Sequence, residues 1–171
     1  MANFQFNLLA LNIALWESQK MLDISGQKFL TKAEGIQYTA YLDSVNVWTI
    51  GRGITYYEDG TKVKKGDRIT VDREEKLFLN TLKKYVAVVN TKVTSNINQN
   101  QFNALVSFCY NVGIGGFTSS TLLKKVNKNP NDPTIRNEFA KWNKGTINGK
   151  KQIINGLVNR RKAEADLYFK K

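Results

Sequence analysis

Hydrophobic residues open the chain on two sides of a helical wheel. At 100° per residue Phe4, Leu8, Leu11 and Leu15 fall on one stripe, and Phe6, Leu9, Ile13 and Trp16 fall on the opposite one. A helix apolar on two faces is sandwiched between protein surfaces, with membrane contact as the alternative. The uncharged stretch is shorter than the ~20 apolar residues that span a bilayer, and Asn7 and Asn12 interrupt it. A fresh helix is predicted from Asp23 or Ser25, with Phe29, Leu30 and Ala33 as its apolar positions and a stop near Gly35. The pattern then shortens to β-branched and aromatic runs between turn residues. Residues 38–41 and 47–50 read as strands around Asp43-Ser44-Val45-Asn46, with further turns at Glu58-Asp59-Gly60-Thr61 and Lys65-Gly66-Asp67.

Beyond Thr70 the pattern is helical throughout, which leaves this β region as the only one expected. Thr70 can cap a long helix whose first turn is acidic (Asp72, Glu74, Glu75), with Lys83 and Lys84 further along. Asn98-Gln99-Asn100-Gln101 has the form of a capping box before Phe102, Leu105, Val106, Cys109 and Val112, and Gly113 ends that helix. Cys109 on this stripe reads as a core thiol. Asp132-Pro133 opens a further helix with Ile135, Phe139 and Trp142 on one face, and a last helix runs from about Asn155 to the end. No internal repeat or linker divides the chain. It reads as α+β, predominantly helical.

Composition narrows the chemistry. At 171 residues, with 42% apolar and 11% aromatic side chains, the chain can bury a sizeable core. It contains no histidine, which excludes Ser-His-Asp triads, Cys-His dyads and HExxH zinc sites. A single cysteine excludes an intrachain disulfide and a CxxC metal site. Acid–base chemistry must then rest on carboxylates, lysines, tyrosines or water. Lys plus Arg number 26 against 14 acidic residues, a net charge of +12. That excess fits a polyanionic partner (nucleic acid, an anionic membrane surface or a wall polymer) or a solubilising surface. Much of it sits late, at Lys141, Lys144, Lys150, Lys151, Arg160, Arg161 and Lys162. Nucleic acid is the weakest of these partners, because the chain has no recognisable binding motif or aromatic–basic platform.

The junction of helix and strands reads Glu34-Gly35, then Asp43, then Thr49-Ile50-Gly51-Arg52-Gly53. Glu34 falls at a helix C-terminus, where the dipole disfavours a carboxylate, whereas Asp43 falls in a polar turn whose N–H groups can hold its charge. Two carboxyls in such different settings can divide glycoside cleavage between acid and base or nucleophile. On spacing alone, solvated surface acids are the stronger reading.

The full run EGIQYTAYLDSVNVWTIGRGIT resembles the catalytic segment of phage-type lysozymes, the endolysin family of T4 and P22 lysozymes. QNQFNALVSFCYNVGIGGF, SSTLLKKVN, and FAKWNK followed by GLVNRRKAEADL fit the same family in the same order, closer to its P22-like branch. The likeness covers about residues 23–169. It implies one lysozyme-like domain over 1–171: an extra apolar segment at 1–22, a β lobe at about 36–70, and a helical lobe at about 71–171, with the cleft between lobes. It implies hydrolysis of the β-1,4 bond between N-acetylmuramic acid and N-acetylglucosamine in peptidoglycan, without metal or cofactor. By position Glu34 is the proton donor, Asp43 the second carboxylate and Thr49 the water-positioning hydroxyl. Arg160, Asn111 and Trp142 are carried over as substrate-binding or supporting residues, with Arg160 expected to pair with Glu34 and Arg161 one register step away.

Two positions depart from the family pattern. Asn46 stands where the family usually has glycine, and it tolerates the left-handed conformation better than most residues. Ile54 stands where some relatives carry histidine, so this position offers no histidine contact to substrate. A monomer that meets peptidoglycan is expected, with anionic wall polymer or membrane contacts through the basic patch that the charge suggests and no specific nucleic acid. The start of the chain lacks the basic region and cleavage site of a secretory signal, so accumulation in the producing bacterium's cytoplasm is expected, then release to the wall through a holin-like pore. A catalytically silent wall-binding protein on the same scaffold is the alternative.

Overall fold

The computed structural model describes residues 19–43, 46–147 and 149–171. The two-stripe segment of residues 1–16 and the Ser44-Val45 centre of the first turn lie outside them. In chain order the elements are α1 (Ile24–Glu34), β1 (Gln37–Leu42), β2 (Trp48–Gly51), α2 (Val71–Lys92), α3 (Gln99–Ser119), α4 (Thr121–Lys128), α5 (Ile135–Ala140), β3 (Lys144–Ile147), β4 (Lys150–Ile153) and α6 (Asn155–Tyr168). The molecule is α+β and predominantly helical, as the periodicity predicts.

Local capping sets the helix starts. Asp23 accepts from the Gly26 N–H at 2.8 Å to begin α1, and Thr70 accepts from the Arg73 N–H at 3.2 Å to begin α2. Asn98 and Gln101 exchange the two bonds of a capping box ahead of α3. The α1 cap also fixes tertiary position, because Asn103 on α3 donates to the same Asp23 carboxylate at 2.8 Å. Gly26 makes that approach close: a β-carbon there would fall 2.6 Å from the Asn103 side chain.

Two apolar clusters form. α3 runs through the larger one and is buried on all sides from Gln101 to Tyr110, with Leu30, Phe78, Leu82, Val86, Val89, Phe139 and Tyr168 closing around it. Phe108 meets the rings of Phe117, Phe139 and Trp142 edge-on, at 6.4, 5.4 and 5.5 Å. Ile50, Ile54 and Val63 form the smaller cluster with Leu77. α2 therefore supplies adjacent residues to both, Leu77 to one and Phe78 to the other.

Two expectations need correction. β1 and β2 pair antiparallel as predicted, but they are not the only sheet: β3 and β4 form a second antiparallel pair, with Lys144 opposite Ile153 and Ile147 opposite Lys150. Its two strands bury no residue, so they leave no alternating apolar signature in the sequence. Gly113, non-helical at φ 82° and ψ 161°, ends the first helical run of α3 as expected, and a second run follows it to Ser119. Trp142 lies past the end of α5, with its indole against Gly116.

Candidate active site

Glu34 is the last residue of α1. The side chain is 14% exposed, and Oε1 lies 2.7 Å from Nη1 of Arg160 on α6. Arg160, and not its neighbour Arg161, is thus the arginine on Glu34. The other face of the carboxylate looks at Gly53, where a β-carbon would stand 3.4 Å from Glu34 Oε2. Glycine at this position suits both the positive φ of 82° and the open approach to that oxygen.

The Gly51-Arg52-Gly53 turn is pinned from behind. Nε and Nη2 of Arg52 grip the two oxygens of Glu74 at 2.9 and 2.6 Å, and Nη2 also donates to Glu75 at 2.6 Å. The Arg52 guanidinium lies 3.6 Å from the Phe78 ring centroid. Its backbone carbonyl accepts the Tyr110 hydroxyl at 2.6 Å. α2 and α3 together therefore fix the backbone that faces Glu34.

Asp43 and Thr49 converge on Val47. The Val47 N–H donates to Asp43 Oδ1 at 2.8 Å, and the Val47 carbonyl accepts from the Asp43 N–H at 3.0 Å. The same carbonyl accepts the Thr49 hydroxyl at 3.0 Å. With its proton committed to Val47, Thr49 Oγ1 keeps lone pairs to accept from a water. Asn46 closes the turn at φ 62°, in the left-handed region asparagine tolerates. Tyr41, paired in register with Thr49, lies in the field of both acids: burial, then Glu34 and Asp43, push its phenol up. Burial followed by the Glu34 charge does the same to Tyr110. For Tyr85 the causes are burial, Cys109 and then Glu34. These rings line the acid without carrying charge at neutral pH.

The remaining sequence candidates make other contacts. Asn111, exposed at the surface, accepts from Arg161 Nη2. Trp142 is engaged in the aromatic packing around Phe108. Sequence reasoning missed Ser107 and Glu164, which hold Arg160 from behind. The available signal was the i, i+4 spacing of Arg160 and Glu164 on one helix. Burial lowers the Arg161 guanidinium to about 10, against the pull of Glu164. Among the described residues no group of acidic or thiol side chains is arranged to hold a metal ion.

Known proteins carry the same arrangement of chain. An endolysin of Acyrthosiphon pisum secondary endosymbiont phage 1 is 34% identical over 143 residues, covering 84% of this chain and 94% of its own. The endolysin of Salmonella phage P22 is 34% identical over 151 residues, covering 87% and 99%. The solved endolysin of Escherichia coli O157:H7 phage FAHEc1 superposes with a TM-score of 0.83 at 38% identity, over 89% of this chain and 95% of that one. The model of the phage lysozyme family matches residues 31–164, a stretch that begins just before Glu34 and takes in Asp43, Thr49 and Arg160, and by that match the chain belongs to the phage lysozyme family.

Proposed function

We infer that this chain is an endolysin that cleaves the β-1,4 bond between N-acetylmuramic acid and N-acetylglucosamine in bacterial peptidoglycan. The observation that carries the reading is the contrast between two acids sharing the field of Tyr41. Glu34 is largely shielded and backed by an arginine, whereas Asp43 is held at a turn by a backbone N–H. Glu34 gives its proton to the leaving oxygen, Asp43 acts from the turn, and Thr49 orients the attacking water. A β lobe and a helical lobe with the glycan between them complete this reading. α2 supports it by sending Leu77 and Phe78 into different clusters. One chain supplies every group of the reading, and the enzyme is taken to work as a monomer. It reaches the wall after holin-type release from the cytoplasm. Among the described residues no helix is long and apolar enough to cross a membrane.

Product analysis on purified peptidoglycan tests the bond assignment. New reducing ends of muramic acid are expected. New free amines would assign the chain to amidases or peptidases, and binding without either product would make it a silent wall-binding protein.

Asp43→Asn keeps the Val47 contact, since the amide oxygen still accepts, and removes the charge. Its expected effect is a fall in kcat of about 10²-fold or more. A change confined to KM would instead make Asp43 a binding group.

The positive charge concentrates the enzyme on an anionic wall. Lys144, Lys150 and Lys151 are exposed on the β3–β4 hairpin, so their combined reversal to glutamate leaves the fold intact. Lysis of whole walls at low salt should fall by about tenfold, while turnover of a short uncharged glycan changes little. Added salt should mimic the variant, because at ~0.15 M the screening length is about 8 Å. Equal wall lysis by variant and parent at low salt would reduce this cluster to a solubilising face.

A further inference from the structure

Four charged side chains of alternating sign run from Glu34 into the protein interior. Glu34 Oε1 meets Arg160 Nη1 at 2.7 Å. Arg160 Nε donates to Glu164 Oε1 at 3.0 Å, and Glu164 Oε2 lies 3.2 Å from Arg161 Nη1. Ser107 on α3 locks the middle of the chain, donating its hydroxyl to Glu164 Oε1 at 2.8 Å and accepting Arg160 Nη2 on its carbonyl at 3.2 Å. Glu164 is 0% exposed. Burial raises the Glu164 carboxyl above its ordinary range, against the pull of Arg161, Arg160 and the Ser107 hydroxyl.

A buried carboxylate is costly to keep, and α6 is already anchored by Ala165 and Tyr168 in the core. The site itself supplies a reason for it. The arginine 2.7 Å from Glu34 orients its carboxyl, and Glu164 holds that arginine by its Nε. A second guanidinium, Arg161, lies in the same field.

We propose that Glu164 is a positioning residue for the reaction: it fixes Arg160 by its Nε edge and lies between the two guanidiniums, so that Arg160 holds the Glu34 carboxyl in place. The proposal rests on the reading of Glu34 as the acid. The other groups facing Glu34 are Tyr41 from β1, Tyr85 from α2 and Tyr110 from α3. Asp43 acts on Tyr41, and Arg52 and Glu74 act on Tyr110. The tyrosines are neutral in the working range, so Glu164 supplies the negative charge directly paired with the two arginines behind Glu34.

The test is the pH dependence of kcat on peptidoglycan. A general acid works while protonated, so activity is lost as pH rises through its pKa. Glu164→Gln keeps the shape of the side chain and removes its charge. Glu34 then faces two uncompensated guanidiniums, and the alkaline limb moves to lower pH by about one unit. Arg161→Gln removes a positive charge instead and moves the limb to higher pH. The double variant restores it toward the parent position. Carbon-13 titration of the Glu34 carboxyl in the same chains should show the same shifts without turnover. Limbs and titrations that coincide with the parent in both single variants would overturn the proposal. If Glu164→Gln does not fold, Arg161→Gln decides alone, and an unshifted limb overturns it. Glu34→Gln separates the two levels: an active Glu34→Gln overturns Glu34 as the acid, whereas an inactive one with unshifted Glu164→Gln profiles overturns Glu164 only.

Discussion

Glu34→Gln should fold like the parent chain and lose lytic activity by about 10²–10⁴-fold, because an amide cannot protonate the leaving oxygen. Folding should survive because Arg160 is not orphaned by the change. Its Nε still meets Glu164 at 3.0 Å and its Nη2 still meets the Ser107 carbonyl at 3.2 Å. The glutamine amide is isosteric with the carboxyl it replaces, so Gly53 and its surroundings keep their shape. Turbidity clearing of purified walls reads the activity, and circular dichroism with thermal unfolding reads the fold. Retention of more than about a tenth of parental activity, against a loss of this size, would falsify the assignment of Glu34 as proton donor.

The largest expected loss of stability is at Glu74. Arg52 is buried, and Glu74 accepts three of its N–H groups: Nε at 2.9 Å, Nη2 at 2.6 Å and the backbone N–H at 3.1 Å. Breaking a buried pair by removing one partner costs about 3–5 kcal/mol, since the remaining charge is left in the interior. The solvent-facing Glu75 and the Thr31 hydroxyl keep a hold on Arg52, which places Glu74→Ala near the lower end, at about 3 kcal/mol. In a chain of this length that lowers Tm by about 6–12 °C. Replacing both partners with apolar residues of similar volume, Arg52→Met with Glu74→Leu, should be far milder, because no charge is stranded. A double variant as unstable as Glu74→Ala would show that the backbone contact to Glu74, not the charge pair, carries the effect. Activity should fall along with stability in Glu74→Ala, because the turn that this pair fixes is the one facing Glu34.

What the sequence revealed and what it hid follow from the range of the interactions involved. Thr70 and Asn98 were legible as caps because capping is settled within three residues. Asn46 was legible for the same reason, its backbone being a property of the turn itself. Choosing between Arg160 and Arg161 was not possible from spacing, since neighbours on a helix differ by 100° and only the packing of α6 on α3 fixes the rotation. Glu164 stayed hidden because RRKAEAD reads as a solvated charged face, whereas two of its charges lie in the core. The β3–β4 hairpin stayed hidden because strand prediction relies on a buried alternate face, and this pair has none. Asn148-Gly149, a favoured hairpin dipeptide, was the one signal available there.

The sole thiol of the chain has a practical consequence. Cys109 is fully buried in the large cluster, and burial pushes it up to about 12, so almost none of it is thiolate at neutral pH and no reagent reaches it in the native state. A cysteine placed on the exposed face of the β3–β4 hairpin would be the single labelling position of the folded protein. A fluorophore or tether attached there would report wall binding in real time without first stripping the chain of its natural cysteine.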